Sequence, residues 1–119
     1  MKKQFPVVTE NLKRLYKMGA IIGAGSDIGG TMSGFFGRFT DELKHYAQAG
    51  IQNFDILQMA TSTNAKIIDM QDKIGAVQKG FLADLITIEG NPLEDINALT
   101  KVKMVMKAGT LIKTDGLNL

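Results

Sequence analysis

The sequence has 119 residues, with 14 Lys and Arg against 12 Asp and Glu, one His and no Cys. Without cysteine, a disulfide scaffold and any zinc or iron–sulfur site built on thiolates are excluded. The net charge of +2 and the lack of a basic run interleaved with aromatics argue against a nucleic-acid partner. No apolar stretch is long enough to predict a membrane span, and Met1-Lys2-Lys3 precedes no apolar signal-peptide core. We therefore expect a cytoplasmic protein without a nucleic-acid or membrane partner.

The same counts limit any metal site. A protein site for a metal such as zinc usually takes three or more ligands from His, Cys, Asp and Glu. His45 is the only histidine, so a site made of imidazoles or thiolates within one chain is impossible. A metal would have to rest on carboxylates or on ligands from another chain.

The first seventy residues predict several helices around a single strand. A helix is expected from a cap at Thr9 to about Lys17, where Gly19 ends it. Ala20 to Ala24 are continuously apolar, which is typical of a parallel strand buried on both faces. Gly25 to Gly37 form a glycine-rich loop. Three further helices are predicted: Thr40 to a stop at Gly50, Phe54 to Thr61 after a cap at Asn53, and Asn64 to Met70.

After Gln71 the pattern changes to short runs of β-forming residues separated by turn residues. The predicted strands are 83–89, 102–107 and 110–113. The last two are expected to form a hairpin at Ala108-Gly109, and 95–99 predict one helical turn. A lone buried strand needs neighbouring strands on both edges, and the first seventy residues offer none. We therefore expect a piece of a larger α/β protein.

Asp27 is the strongest candidate for chemistry. It follows the predicted strand by three residues, in a loop rich in glycine. In parallel α/β folds, active sites gather at the carboxyl ends of the strands. A carboxylate there can bind a cation or accept a proton from water. The alternative is that Asp27 only caps the loop, as Asp often does.

Two further patterns were weighed around this loop. Gly23, Gly25 and Gly29 could form a dinucleotide-binding turn, but the glycines that follow make a poor helix, and no second strand ending in an acid appears. This is the least favoured reading. Arg38 could contact an anionic group of a substrate, or it could be an ordinary surface arginine. His45 falls in the middle of a predicted helix and is given no catalytic role.

Three segments in order resemble the C-terminal portion of a metal-dependent amidohydrolase, in the branch of imidazolonepropionase-like and prolidase-like enzymes. They are 19–30 with Gly25-Ser26-Asp27, Ala60-Thr61-Ser62-Thr63-Asn64-Ala65-Lys66, and 75–85 followed by Asn91-Pro92-Leu93 and 105–109. The resemblance covers about residues 9 to 113. It departs from some prolidase-like members after Asp27, where Phe35-Phe36-Gly37-Arg38 stand in place of Pro-His-Gly.

The resemblance implies an α/β architecture in two parts. Residues 1–71 would contain the last βα units of a (β/α)8 TIM barrel. Residues 72–119 would contribute C-terminal strands to a small β-sandwich, a composite domain that such enzymes build from both chain ends. This fits the strand that lacks neighbours in the first seventy residues.

The resemblance also implies a site and a cofactor. The aspartate matching Asp27 would touch a divalent metal, with zinc the favoured ion, and would take a proton from the metal-bound water that attacks the carbonyl carbon. The family's His-x-His pair, its bridging Lys or Glu and its two later His ligands would lie upstream of this chain. The third segment would be structural, with Gly80 in a turn and Ala83-Asp84 opening a strand.

Three functions follow as expectations. The first is a fragment of a hydrolase acting on amide, cyclic amide or peptide-like bonds of a small-molecule substrate. It would be inactive alone for want of its N-terminal part, and would bind no metal tightly by itself. The second is one half of a split hydrolase with a His-rich partner chain. The third is a non-enzymatic domain that self-associates as a homo-oligomer through its unpaired strand edge.

Overall fold

The computed structural model describes residues 5–26 and 38–114. The helices are α1 (Phe5–Lys17), α2 (Phe39–Gln48), α3 (Asn53–Gln58) and α4 (Asn64–Ile67), with the π-helical turn Met59–Thr63 joining α3 to α4. The strands are β1 (Leu85–Ile88), β2 (Val102–Lys107) and β3 (Thr110–Thr114), and the 3-10 turn Ile96–Thr100 precedes β2. Within the described ranges, no helix has the length and apolar character needed to cross a membrane.

The helix ends follow the glycines, whereas one predicted start is wrong. Gly19 has φ +76° and Gly50 has φ +84°, so each takes the left-handed conformation that closes a helix. The amide of Ala20 donates to the Leu15 carbonyl at 3.1 Å in the same closing motif. Thr9 is not the cap of α1, because the helix already begins at Phe5. Pro6 suits that earlier start, since a proline in the first turn needs no backbone donor.

The two helices predicted at 54–61 and 64–70 form one helical stretch, 53–67. Its backbone stays right-handed helical at Met59 and at Asn64, so the π-helical turn adds a residue to one turn without breaking the helix. Asn53 is its first helical residue, and the cap position falls on Gln52. The stretch ends at Ile67, and the amide of Met70 donates to the Ala65 carbonyl at 2.8 Å.

The predicted buried strand at Ala20 to Ala24 is not a strand in the described structure. A strand is defined by pairing with a neighbour, and no described strand pairs with this segment. It is not buried on both faces either, because Ile21 is 80% exposed. We call residues 20–26 the linking segment, since they lead from α1 toward Asp27.

The second half forms one antiparallel sheet in the order β1–β2–β3. β2 has the predicted bounds, and the predicted hairpin turn is confirmed, with Ala108 at φ +48° and Gly109 at φ +80°. Asp84 binds this turn, because its carboxylate accepts from the Ala108 amide at 2.7 Å and also pairs with Lys107. One three-stranded sheet is described. The sandwich and the division into residues 1–71 and 72–119 stay predictions.

The core lies between the helices and the 3-10 turn. Its buried members come from α2, from the connection between α2 and α3, from the 53–67 stretch and from the turn before β2: Leu43, Tyr46, Ile51, Ile56, Met59 and Ile96. Ile56 is completely buried. The linking segment packs against this cluster through Ile22 and Ala24. The core therefore fixes one side of the segment that precedes Asp27.

Gly75 holds the following loop against the π-helical turn. A Cβ atom on Gly75 would lie 2.8 Å from the Cβ of Ala65 and 3.0 Å from the Cα of Ser62. Its φ of +92° adds a second requirement for glycine. Close contact and backbone conformation thus both select glycine at the position where residues 75–85 pack on the helix.

We expect Gly75→Ala to destabilise the fold more than Gly80→Ala. Gly80 has nearly the same φ, +91°, but nothing lies within 4 Å of the added Cβ. The positive φ costs both variants ~1–2 kcal/mol, and overpacking costs Gly75→Ala a further ~1–3 kcal/mol. Chemical denaturation of the three proteins measures the difference. Equal free energies of unfolding for the two variants would contradict the described packing.

Candidate active site

The linking segment is held at its carboxyl end by two side chains that are distant in sequence. The Asn64 side chain accepts from the Ala24 amide at 3.0 Å and donates to the Ala24 carbonyl at 2.7 Å. The hydroxyl of Tyr46 donates to the Gly23 carbonyl at 2.9 Å. Three backbone atoms of two consecutive residues are therefore bound. The partly buried backbone of Gly23 and Ala24 needs such partners, because a polar backbone group without a hydrogen bond is costly away from water.

Gly23 is required by this arrangement. A Cβ atom there would lie 2.4 Å from Oδ1 of Asn64 and 2.7 Å from Cδ1 of Ile67. The space beside Gly23 is therefore filled by side chains of α4 and is not open to a phosphate group. This packing disfavours the dinucleotide-binding turn considered for Gly23, Gly25 and Gly29.

The predicted catalytic residue and metal ligand Asp27 lies outside the described residues, directly after Ser26. Its two predicted roles stay predictions. The described structure accounts for the segment before it, through Asn64 and Tyr46. The sequence patterns single out neither residue: Tyr46 falls within the helix predicted from Thr40, and Asn64 falls at a predicted helix start. The sequence does offer one signal for Asn64: it is a side-chain amide, able to donate and accept hydrogen bonds, within the segment 60–66 that resembles the family.

Arg38 is described and lies just before α2. Its Nε pairs with Oδ2 of Asp41 at 2.6 Å, and its side chain is 66% exposed. This guanidinium holds the pKa of the Asp41 carboxyl below its usual value. An exposed pair of this kind contributes little to stability. Arg38 as a contact for an anionic substrate group stays a prediction.

An open groove of about 420 Å³ runs along the amino end of the linking segment. Its wall includes Ile21 and Ile22, together with Tyr16 of α1 and Asp55 of α3. Tyr16 donates a hydrogen bond to the Asp55 carboxylate, which raises the pKa of the tyrosine hydroxyl. The groove lies beside the start of the segment, whereas Asp27 follows its other end.

The described residues do not fit a metal ion by themselves. Across 5–26 and 38–114, no three His, Cys, Asp or Glu residues lie close enough together to hold one. Carboxylates are present at Asp41, Asp55 and Asp84, but each is bound to a neighbouring Arg, Tyr or Lys side chain. No catalytic step through a metal can be derived from these residues.

We expect alkaline pH to destabilise the wild-type chain more than Tyr46→Phe. Burial, aided by the negative charge of Glu42, raises the pKa of Tyr46 to about 12. In the unfolded chain the tyrosine has a pKa of ~10, so it ionises more readily there than in the folded protein. Its contribution to stability is therefore complete below pH ~10 and is lost as the pH rises toward 12. Denaturation midpoints at pH 8 and pH 11 test this. Equal losses in both proteins would contradict a buried, neutral Tyr46.

At neutral pH, Tyr46→Phe should lower the free energy of unfolding by ~1 kcal/mol, because the Gly23 carbonyl loses its hydrogen-bond donor. All other ionisable groups are the same in the two proteins, so the comparison isolates the tyrosine.

The family model of the amidohydrolase family matches residues 5–112 of this chain. A search of curated proteins found no match. Among solved structures, a Xaa-Pro dipeptidase with methionine bound in its active site is 33% identical, with a TM-score of 0.82 over 91% of this chain and 26% of the dipeptidase. A prolidase complexed with N-methylphosphonate-L-proline is 34% identical, with a TM-score of 0.78 over 90% of this chain and 26% of that one.

A third similar structure, the A. niger ochratoxinase, is 28% identical, with a TM-score of 0.75 over 92% of this chain and 26% of the ochratoxinase. The chain therefore spans about a quarter of the length of these structures. The match to the family model, the shared fold and the order of the three sequence segments agree. This chain belongs to the amidohydrolase family and matches part of a prolidase-like amidohydrolase domain.

Proposed function

We propose that these residues form the C-terminal part of a hydrolase that cleaves carbon–nitrogen bonds in amide, cyclic amide or peptide-like substrates. The observation that carries the proposal is the held linking segment, in which Asn64 binds the backbone three residues before Asp27 and Tyr46 binds it four residues before. The family match over 5–112 supports it. The 33% identity with a Xaa-Pro dipeptidase favours a peptide-like substrate.

In this proposal Asp27 is the general base and a metal ligand. A carboxylate at contact distance from the attacking water can accept its proton and later return it to the leaving nitrogen, which contributes about 10²–10⁴-fold in rate. The chemistry that a divalent cation such as zinc would supply is Lewis acidity, which makes water a nucleophile near neutral pH. Arg38 is proposed as a weaker contact to the substrate, since its guanidinium is exposed although paired with Asp41.

The chain alone should be inactive. A catalytic zinc site usually takes three protein ligands, and the sequence has a single histidine and no cysteine. The described residues contain no cluster that could replace those ligands. In the proposal, the remaining ligands come from a part of the enzyme that precedes these residues.

A hybrid enzyme tests this proposal. The chain would replace the matching quarter of the Xaa-Pro dipeptidase, and a single cooperative thermal transition would show that the hybrid folds. We expect hydrolysis of Xaa-Pro dipeptides by the hybrid. Asp27→Asn should lower kcat at least ~100-fold, because general-base catalysis is lost, with an unchanged melting temperature.

The control is the isolated 119-residue chain, which should show no turnover with zinc or manganese. A folded hybrid without activity, or a hybrid whose Asp27→Asn variant keeps full activity, would contradict the proposal. Turnover by the isolated chain would contradict its expected inactivity.

A second candidate function, self-association of the isolated chain, is favoured by its exposed apolar side chains. Ile21 in the unpaired linking segment, Met18 beside it and Val77 are each more than three-quarters exposed. A segment that has no strand beside it in the described part of the chain can pair with another copy. Burial of such side chains between copies would remove apolar surface from water.

We expect the purified chain to form dimers or larger oligomers as its concentration rises. Ile21→Asp should shift it toward the monomer, because a charge disfavours strand pairing at this edge. Ile112→Asp is the matched control, since Ile112 is also exposed but lies on β3. Sedimentation velocity measures the distribution. A monomer at every concentration would contradict self-association, and equal effects of both variants would contradict pairing through the linking segment.

A further inference from the structure

Asn64 contacts Ala24 in the way that a neighbouring strand would. Its carboxamide accepts from the Ala24 amide and donates to the Ala24 carbonyl, at 3.0 and 2.7 Å. In an antiparallel ladder, a hydrogen-bonded residue pair exchanges the same two bonds. The side chain of Asn64 therefore substitutes for one ladder step on a segment that has no described strand partner.

The π-helical turn and two glycines bring Asn64 to this position. The turn at Met59–Thr63 directly precedes Asn64 and sets its direction relative to the buried Ile56. Gly75 packs against Ser62 and Ala65 on either side of it. On the other partner, Gly23 leaves the space that Oδ1 of Asn64 occupies. Segment 60–66 thus contacts both the linking segment, through Asn64, and the loop that begins at Gly75, through Ser62 and Ala65.

Tyr46 adds the bond to the Gly23 carbonyl at 2.9 Å, from α2 on another side of the segment. Tyr46 itself is buried in the core. Asn64 and Tyr46 together bind the Gly23 carbonyl, the Ala24 amide and the Ala24 carbonyl. Asn64 supplies two of these three bonds, so its removal should free the Ala24 peptide groups most.

We propose that Asn64 is a positioning residue of the hydrolase, which fixes the backbone of Ala24 and thereby the start of the chain that leads to Asp27. This inference rests on the proposed function for its catalytic consequence. Asn64 does not act on the substrate itself. Its effect on catalysis passes through the backbone, because catalytic rates depend steeply on the placement of the reacting groups.

The first arm of the test uses the 119-residue chain and needs no activity. Hydrogen exchange should show the Ala24 amide protected in the wild type. In Asn64→Leu, which keeps a similar size without polar atoms, its protection should fall about fivefold or more, since the hydrogen bond of the partly buried Ala24 amide is lost. Asn53→Leu is the matched control, because Asn53 also donates to a backbone carbonyl, but that carbonyl belongs to Leu93 (3.1 Å) and not to the linking segment.

Asn64→Asp supplies a readout that general destabilisation would not give. A protonated carboxylic acid has one donor and an acceptor and can make both bonds to Ala24. The ionised form can only accept, so one of its oxygens would face the Ala24 carbonyl oxygen with no proton between them, and their repulsion would move the carboxylate away from the Ala24 amide as well. We expect the protection factor of the Ala24 amide in this variant to be near the wild-type value at pH 4 and lower at pH 7. An unchanged Ala24 protection factor in Asn64→Leu, or equal loss in Asn53→Leu, would overturn the proposed contact.

The second arm uses the hybrid enzyme. Asn64→Leu should lower kcat about tenfold or more with little change in KM, because the catalytic group is displaced while substrate binding is retained. Asn53→Leu should leave kcat unchanged. An active hybrid in which Asn64→Leu keeps its kcat would overturn the positioning role. A folded but inactive hybrid would instead count against the proposed function, and the exchange measurements would still decide whether Asn64 holds Ala24.

Discussion

The paired hydrogen bonds between the Asn64 carboxamide and the Ala24 peptide groups are the contact on which the candidate site depends. The linking segment has no described strand on either side, so its backbone groups must find other partners. Asn64 and Tyr46 supply them at Gly23 and Ala24. A segment held in this way is fixed by side chains of the core and by the helical stretch 53–67, although no strand lies beside it among residues 5–26 and 38–114.

Around this contact, several positions depart from regular backbone geometry or lack a side chain because close packing requires it. The π-helical turn is an uncommon helix geometry, and it is retained where Gly75 packs closely on Ser62 and Ala65. Gly23 has no side chain, which leaves room for Asn64 to contact the backbone. Such departures from regular structure concentrate at functional sites in many proteins. Here they converge on the segment that leads to the residue proposed as the general base.

The sequence predicted what depends on neighbouring residues. The helix ends at Gly19 and Gly50, the β2 strand and the hairpin turn at Ala108-Gly109 all follow from local turn chemistry. The predicted start of α1 at Thr9 was wrong, because the helix already begins at Phe5, with Pro6 in its first turn. The predicted break before Asn64 was wrong too, because the helical backbone continues through Met59–Thr63 into α4. The strand at Ala20 to Ala24 needed partners that the described chain lacks. The Asn64 contact joins residues 40 positions apart, and periodicity cannot show such a pair.

Asp27 and Arg38 are predicted from their positions around the glycine-rich loop, and the family resemblance supports Asp27 only. The roles of both residues stay predictions.

One measurement tests directly whether Nδ2 of Asn64 donates to the carbonyl of Ala24. Scalar coupling across hydrogen bonds can be detected by nuclear magnetic resonance in the isotopically labelled 119-residue chain. We expect a correlation between the Asn64 side-chain nitrogen and the Ala24 carbonyl carbon. A correlation from that carbonyl carbon to a different donor, or a freely exchanging Asn64 side-chain amide without such coupling, would contradict it.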